Sequence, residues 1–148
     1  MKSKIHAAAG GIAMLTIAAF WTSTAISELF GSPAQIAQVK QAIVWGLLIL
    51  VPAIAAVGGS GFALGGKWKG PLIVAKKRRM KIIAANGVLI LVPAAFYLNM
   101  KAQAFGFDPA FYAVQAVELV AGAVNLALLG LNMRDGLRMT LRRRLAAH

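Results

Sequence analysis

Charged positions divide this chain into long apolar runs. No charge interrupts the 23 residues between Lys4 and Glu28, the 26 between Lys40 and Lys67, or the 19 between Lys81 and Lys101. A fourth run, from Asp108 to Arg134, is broken only by Glu118. About 20 apolar residues form a helix long enough to cross roughly 30 Å of hydrocarbon. The pattern therefore predicts an all-α fold, an integral membrane four-helix bundle forming one domain over 1–148. Its spans lie near 5–27, 34–58, 81–103 and 109–133, with a basic cytoplasmic loop at 59–80 and a basic tail at 134–148. Ala25-Ile26-Ser27 has the small residues of a leader cleavage site. The run before it exceeds the about 7–15 apolar residues of a leader core, so the segment is expected to be retained.

Composition sharpens this picture. The chain is 59% hydrophobic, with mean hydropathy +0.72, and carries 16 Lys and Arg against 4 Asp and Glu. A net charge of +12 on a soluble domain would point to nucleic acid. On a chain this apolar it points to basic membrane edges instead, and no nucleic-acid partner is expected. The absence of cysteine removes disulfides, thiolate metal sites and thiol catalysis. All the basic residues except Lys40 and Lys101 fall before the first span, between the second and third, or after the fourth. Basic residues stay on the cytoplasmic side, so both termini are expected there.

Two stretches share a pattern. Residues 4–34 and 81–110 both read Lys-Ile-x-Ala-Ala-x-Gly, then Ala-Ala-Phe-aromatic, then Ser/Asp-Pro-Ala. Phe20 to Pro33 and Phe96 to Pro109 are each 13 residues apart, and Gly46 and Gly122 keep the same offset. The matches suggest two tandem helical hairpins descended from one. A competing match, "GLLILVPA" with "GVLILVPA", joins helices of opposite direction. Ser32-Pro33 and Asp108-Pro109 read as an N-cap followed by proline in the first turn. Pro52 and Pro93 fall inside spans and are expected to bend them. Ala7 with Gly11, and Ala9 with Ala13, offer small faces for close helix packing.

Span four has a polar stripe. Gln115, Glu118, Gly122, Asn125, Leu129 and Asn132 lie at intervals of three and four, within a face about 100° wide on a helix of 3.6 residues per turn. Polar groups facing lipid are costly, so the stripe should face protein. Asn86, Pro93 and Tyr97 share a face of span three, as do Gln38, Gln41 and Trp45 of span two. Glu118 lies nine residues past Pro109, roughly 13 Å along the helix at about 1.5 Å per residue. An acid at that depth is a candidate proton or cation site, or a helix-joining group paired with Lys40. Its carboxyl is expected within reach of Gln41, Lys40, Gln115 or a polar group on a neighbouring chain.

His6 is the one histidine of the spans. It is a candidate axial ligand for a b-type haem, or else an interfacial packing residue. A haem takes one or two axial ligands, and the other histidine is His148. Asn86 and Asn125 are expected in the same half of the bundle. "GFALGGKWKG" matches G-x-x-x-x-G-K, but Trp68 stands where a nucleotide loop needs Ser or Thr for magnesium. The better reading is a surface that binds anionic headgroups through Lys67, Trp68, Lys69, Lys76, Lys77, Arg78 and Arg79, each basic residue contributing about 1 kcal/mol. Ordinary membrane topology accounts for the same charges.

The stretches "FWTSTAISELFGS", "VGGSGFALG", "RRMKIIAANGVLILVPAAF" and "GLNMRDGLRM" resemble a group of small four-span bacterial inner-membrane proteins without an assigned activity. The resemblance implies the bacterial inner membrane and supplies no reaction. "KIHAAAGGIA" is similar to the His-Gly helix start of haem-linked membrane modules, without their further histidines. Small multidrug transporters also have four spans and one membrane glutamate, but theirs belongs in the first span. No catalytic or metal-binding constellation stands out, and an enzyme is not expected. The expected function is a non-enzymatic accessory or interaction subunit of a homo-oligomeric or larger membrane complex. The alternatives are a haem or quinone carrier using His6 and a small proton-coupled transporter using Glu118.

Overall fold

The structure, a computed structural model, describes the backbone of residues 2–65 and 70–145. Side chains are described for all of these except 2–4, 62, 64, 65, 140 and 142–145. The chain is helical throughout its long segments. Helix α1 spans Lys2–Phe30, α2 Pro33–Gly65, α3 Pro71–Asn86, α4 Val92–Gln103 and α5 Pro109–Leu145. A π-helical turn, Gly87–Leu91, joins α3 to α4, so the two form one continuous third rod. Four of these rods are long and apolar enough to cross a membrane. Helix continues through 59–65 and resumes at Pro71, so most of the stretch expected as a loop over 59–80 is helical. Charge limits the hydrocarbon-matched part of a span but does not stop a helix, because Lys and Arg are good helix formers.

The two short turns are built by local chemistry. Ser32 and Gln35 form a reciprocal cap on α2: the Ser32 N–H donates to Gln35 Oε1 at 2.7 Å, and the Gln35 N–H donates to Ser32 Oγ at 3.3 Å. Gly31 donates its N–H to Ser27 O at 2.8 Å. A Cβ at Gly31 would lie 2.5 Å from that same oxygen, so only glycine fits. At the other turn Asp108 Oδ1 accepts the Phe111 N–H at 2.9 Å, capping α5. Helix α4 closes with paired bonds, Phe105 N–H to Ala102 O and Gly106 N–H to Lys101 O, a Schellman end. Phe105 takes the left-handed backbone there, with φ of 52°, a conformation unfavourable for a bulky residue.

The π turn has an identifiable cause. Pro93 has no N–H to give to Leu89 O, and its ring crowds that carbonyl. The helix answers by widening over the preceding turn, a common accommodation. Pro52 is carried inside α2 without breaking the assigned helix.

Packing joins α1 to α2 and α5, α2 to α4, and both α3 and α4 to α5. One apolar core gathers Ala13, Ile17, Leu50, Ala53, Ile83 and Leu129. A second, nearer the short turns, gathers Ile36, Ala37, Leu98, Ala102 and Phe111. Of the small faces expected on the first helix, Ala9 and Ala13 are buried, whereas Ala7 is exposed and a Cβ at Gly11 would touch nothing. Ala9 and Ala13 lie on the same face as Ile17, and that face turns inward. Leu15, Leu29, Leu48, Ile49 and Leu89 stand exposed around the outside. Water would penalise so much open apolar surface; hydrocarbon would not.

Asp108 also binds Lys101 across the second turn, with Oδ2 accepting Nζ at 2.5 Å. That bond, with the Phe111 N–H, holds the Asp108 carboxyl below its ordinary range. A lowered folded-state value contributes stability above the ordinary carboxylate range and loses it as pH falls through the folded value. Asp108→Asn should therefore lower the melting temperature in detergent at neutral pH, and the gap from the wild type should close under acid. A gap that persists unchanged in acid would show that the charge on Asp108 contributes nothing.

Candidate functional site

The inward stripe of α5 carries the site. Gln115, Gly122, Asn125, Leu129 and Asn132 are buried, and the Glu118 side chain is only 12% exposed. Lys40 comes to this stripe from α2 and is itself completely buried, with side-chain exposure of 0%. It lies seven residues into α2, roughly 10 Å along the helix at about 1.5 Å per residue. Its ammonium donates to Gln115 Oε1 and, at 2.9 Å, to Glu118 Oε2. Gln115 Nε2 donates to the same carboxylate oxygen at 3.0 Å. Three side chains from two helices thus close a ring of hydrogen bonds.

A second acid enters from α1. Glu28 Oε1 stands 3.9 Å from Lys40 Nζ, with the Glu28 side chain 10% exposed. This oxygen is buried and has no hydrogen-bond partner among the described residues. Spacing along the chain does not connect Glu28 to Glu118. It bounds the first apolar run in the sequence and reads there as a membrane edge, and only the packing of α1 on α2 and α5 brings it inward. Gln41, one of the alternative partners for Glu118, accepts a bond from Asn99 Nδ2 of α4 at 3.2 Å. One residue past Lys40 it is turned by about 100° around the helix, which aims it at a different neighbour.

The cluster adjoins a cavity of about 150 Å³ in the middle of the bundle. Its wall includes Phe20, Trp21, Leu47, Val88 and Asn125, and Glu118 borders it. Trp21 Nε1 donates to Leu119 O at 2.9 Å. A Cβ at Gly122 would lie 3.0 Å from Trp21 Cδ1, and one at Gly46 would overlap the Phe20 ring. The two offset-matched glycines each receive an aromatic ring of α1.

Farther toward the termini, Asn86 and Asn125 bond each other at 2.9 Å. Asn86 Nδ2 also donates to Ala121 O, and Asn125 Nδ2 to Ile83 O. Neither bonds His6, whose Nδ1 pairs with Ser60 Oγ at 3.0 Å. Gly61 lies against the same ring: a Cβ there would be 3.2 Å from His6 Cε1. Among the described residues no group of three His, Cys, Asp or Glu side chains forms a metal set. Arg79 Nη1 turns inward to Asp135 Oδ2 at 2.6 Å and to Asn132 Oδ1 at 3.3 Å. Asp135 is 2% exposed and requires a cation once buried, which claims Arg79 from the basic run. Lys77 and Arg78 remain exposed and Lys76 is half-buried; Lys67, Trp68 and Lys69 lie outside the described residues.

Breaking a buried ion pair on one side costs about 3–5 kcal/mol, whereas replacing both partners with apolar residues is close to neutral. Lys40→Met should show a loss of that size in denaturant unfolding of the detergent-solubilised protein. Lys40→Met combined with Glu118→Leu should recover most of it. Equal stability of the single variant and the wild type would remove the pair from the interactions that hold the bundle.

Comparison with known family models, curated proteins and solved structures finds no match to this chain.

Proposed function

We propose that the chain is a non-enzymatic accessory or interaction subunit of the bacterial inner membrane, with both termini cytoplasmic, and that it works as a homo-oligomer. The observation that carries this reading is a groove between α2 and α4, lined by Ala34, Gln38, Gln41, Trp45, Gln103 and Phe105. Gln38, Gln103, Trp45 and Phe105 are exposed along it. Trp45 lies twelve residues into α2, roughly 18 Å along the helix at about 1.5 Å per residue, with its indole open to lipid. Gln41 Oε1 and Gln103 Nε2 are engaged within the fold, by Asn99 and by Ala37 O with Asn99 Oδ1. Gln38 has no such bond among the described residues, and uncovered amide donors and acceptors in a span are costly. The occupant best suited to them is a second copy of the same groove. Each amide brings both a donor and an acceptor, so the face is complementary to itself about a two-fold axis. Phe105 adds an exposed ring at the Schellman end of α4.

The basic end supports the orientation through the charge asymmetry, and the exposed Lys77 and Arg78 suit anionic headgroups there. The matched residues of the two hairpins favour descent from one duplicated unit. A second reading, a small proton-coupled transporter, is favoured by the cavity that Glu118 borders.

Two measurements test the main reading. Single cysteines replacing Gln38 or Trp45 should cross-link between copies in native membranes, whereas cysteines replacing Leu15 or Leu89 should not. Equal cross-linking at all four positions, or none, would reject the groove as the interface. For orientation, a cysteine at Ala147 should react only with reagent on the cytoplasmic side and one at Ser32 only from outside. The reverse pattern would overturn the charge argument.

A further inference from the structure

We propose that Glu28 is a reversible proton-binding site within the span, a property that goes beyond the assembly role above and does not depend on it. Among the described elements, helix α1 packs against α2 and α5. From α2 comes one cation, Lys40, and from α5 one acid, Glu118. The other ionisable positions of α1 are Lys2, Lys4 and His6, all at the opposite end of that helix. Arg134, Asp135 and Arg138 of α5 likewise lie four or more turns from Glu118, at about 3.6 residues per turn. With both acids ionised the trio carries a net charge of −1 in a medium that solvates charge poorly. Uptake of one proton, converting a carboxylate to a carboxylic acid, brings it to zero.

Geometry decides which acid takes the proton. Glu118 Oε2 receives two donors, from Lys40 at 2.9 Å and Gln115 at 3.0 Å. Glu28 Oε1 receives none, is buried, and is held 3.9 Å from the one cation. The hydroxyl adjacent in sequence, Ser27 Oγ, donates to Thr24 O instead. An oxygen without a donor in apolar surroundings is stable as part of a neutral acid and poorly stable as an anion. A hard metal cation would need about six oxygens around it, and among the described residues no group of three His, Cys, Asp or Glu side chains gathers at Glu28. The site is also close to a surface, because Glu28 is two residues from the end of α1 at Phe30.

Infrared difference spectra of the protein in lipid vesicles test this directly. As pH falls, and before Asp108 and the other ordinary carboxyls take up protons, the wild type should gain the C=O stretching band of a protonated carboxyl, and all comparisons below refer to that range. Glu28→Gln should lose that band, and Asp108→Asn should keep it. Glu118→Gln should lose it as well, because Glu28 then has Lys40 to itself. In Lys40→Met, where both acids lack a cation, the band should grow about twofold. A band that survives Glu28→Gln, or never appears in the wild type, overturns the proposal. The unsubstituted protein offers a second test should a variant fail to fold. A hydrophobic carbodiimide, which modifies protonated carboxyls in apolar surroundings, should add to Glu28, with the label mapped by mass spectrometry. Label on Glu118 alone, or on neither acid, overturns the assignment.

Discussion

A lysine with no exposed side-chain surface stands at the centre of this bundle. An ammonium cannot remain charged in an apolar interior without counter-charge and hydrogen bonds. Lys40 therefore demands Glu118 and Gln115 on α5, and it draws Glu28 of α1 within 3.9 Å. Three of the four membrane-length rods meet at this one group. Dispersion alone leaves apolar helices in lipid free to rotate and slide, because the lipid tails are as apolar as their side chains. An ion pair with a defined partner fixes both the rotation of α5 and its axial offset against α2. The apolar cores on either side, one around Ile17 and Leu50 and one around Phe111 and Leu98, then fall into register.

The same requirement is met again toward the basic end. Asp135 is buried and takes Arg79 from the third rod, while Asn86 and Asn125 exchange a bond between that rod and α5. Helix α5 is thus pinned at three levels along its length, by Lys40, by Asn86 and by Arg79. Small residues supply the close approach between these levels. Gly46 admits the Phe20 ring where a Cβ would overlap it, and Gly122 lets Trp21 approach to where a Cβ would lie 3.0 Å from its ring. The hairpins are not used alike, however. Phe20 packs inward under Gly46, whereas its sequence counterpart Phe96 is 54% exposed. A single lysine on α2, matched by Ala116 on α5, is enough to break any symmetry of the starting pattern.

The four rods, the inward stripe of α5 and the caps at Ser32 and Asp108 were legible along the chain. Each depends on neighbours within four residues, as a spacing of three and four, a cap three residues from its N–H, or a run without charge. The pairing of Lys40 with Glu118 was legible only as one alternative among several. Of the partners open to Glu118, Lys40 and Gln115 reach it and Gln41 does not, because adjacent helical positions point about 100° apart. Glu28 was missed because an acid at the boundary of an apolar run reads as a membrane edge until a neighbouring helix covers it. Arg79 was grouped with a surface run for a similar reason: the buried Asp135 that claims it lies 56 residues away.

What the sequence by itself determined is the set of four long apolar helices, the caps that start α2 and α5, and the inward face of α5. These follow from local periodicity and from the cost of charge in hydrocarbon. What only the tertiary structure decided is the partner of each polar group: Glu28 and Glu118 with Lys40, Arg79 with Asp135, His6 with Ser60, Gln41 with Asn99. Those choices depend on how each helix is rotated and shifted against the next. No spacing within one helix encodes that relation, and it is set by the simultaneous need to pack the apolar cores and to leave few buried charges alone.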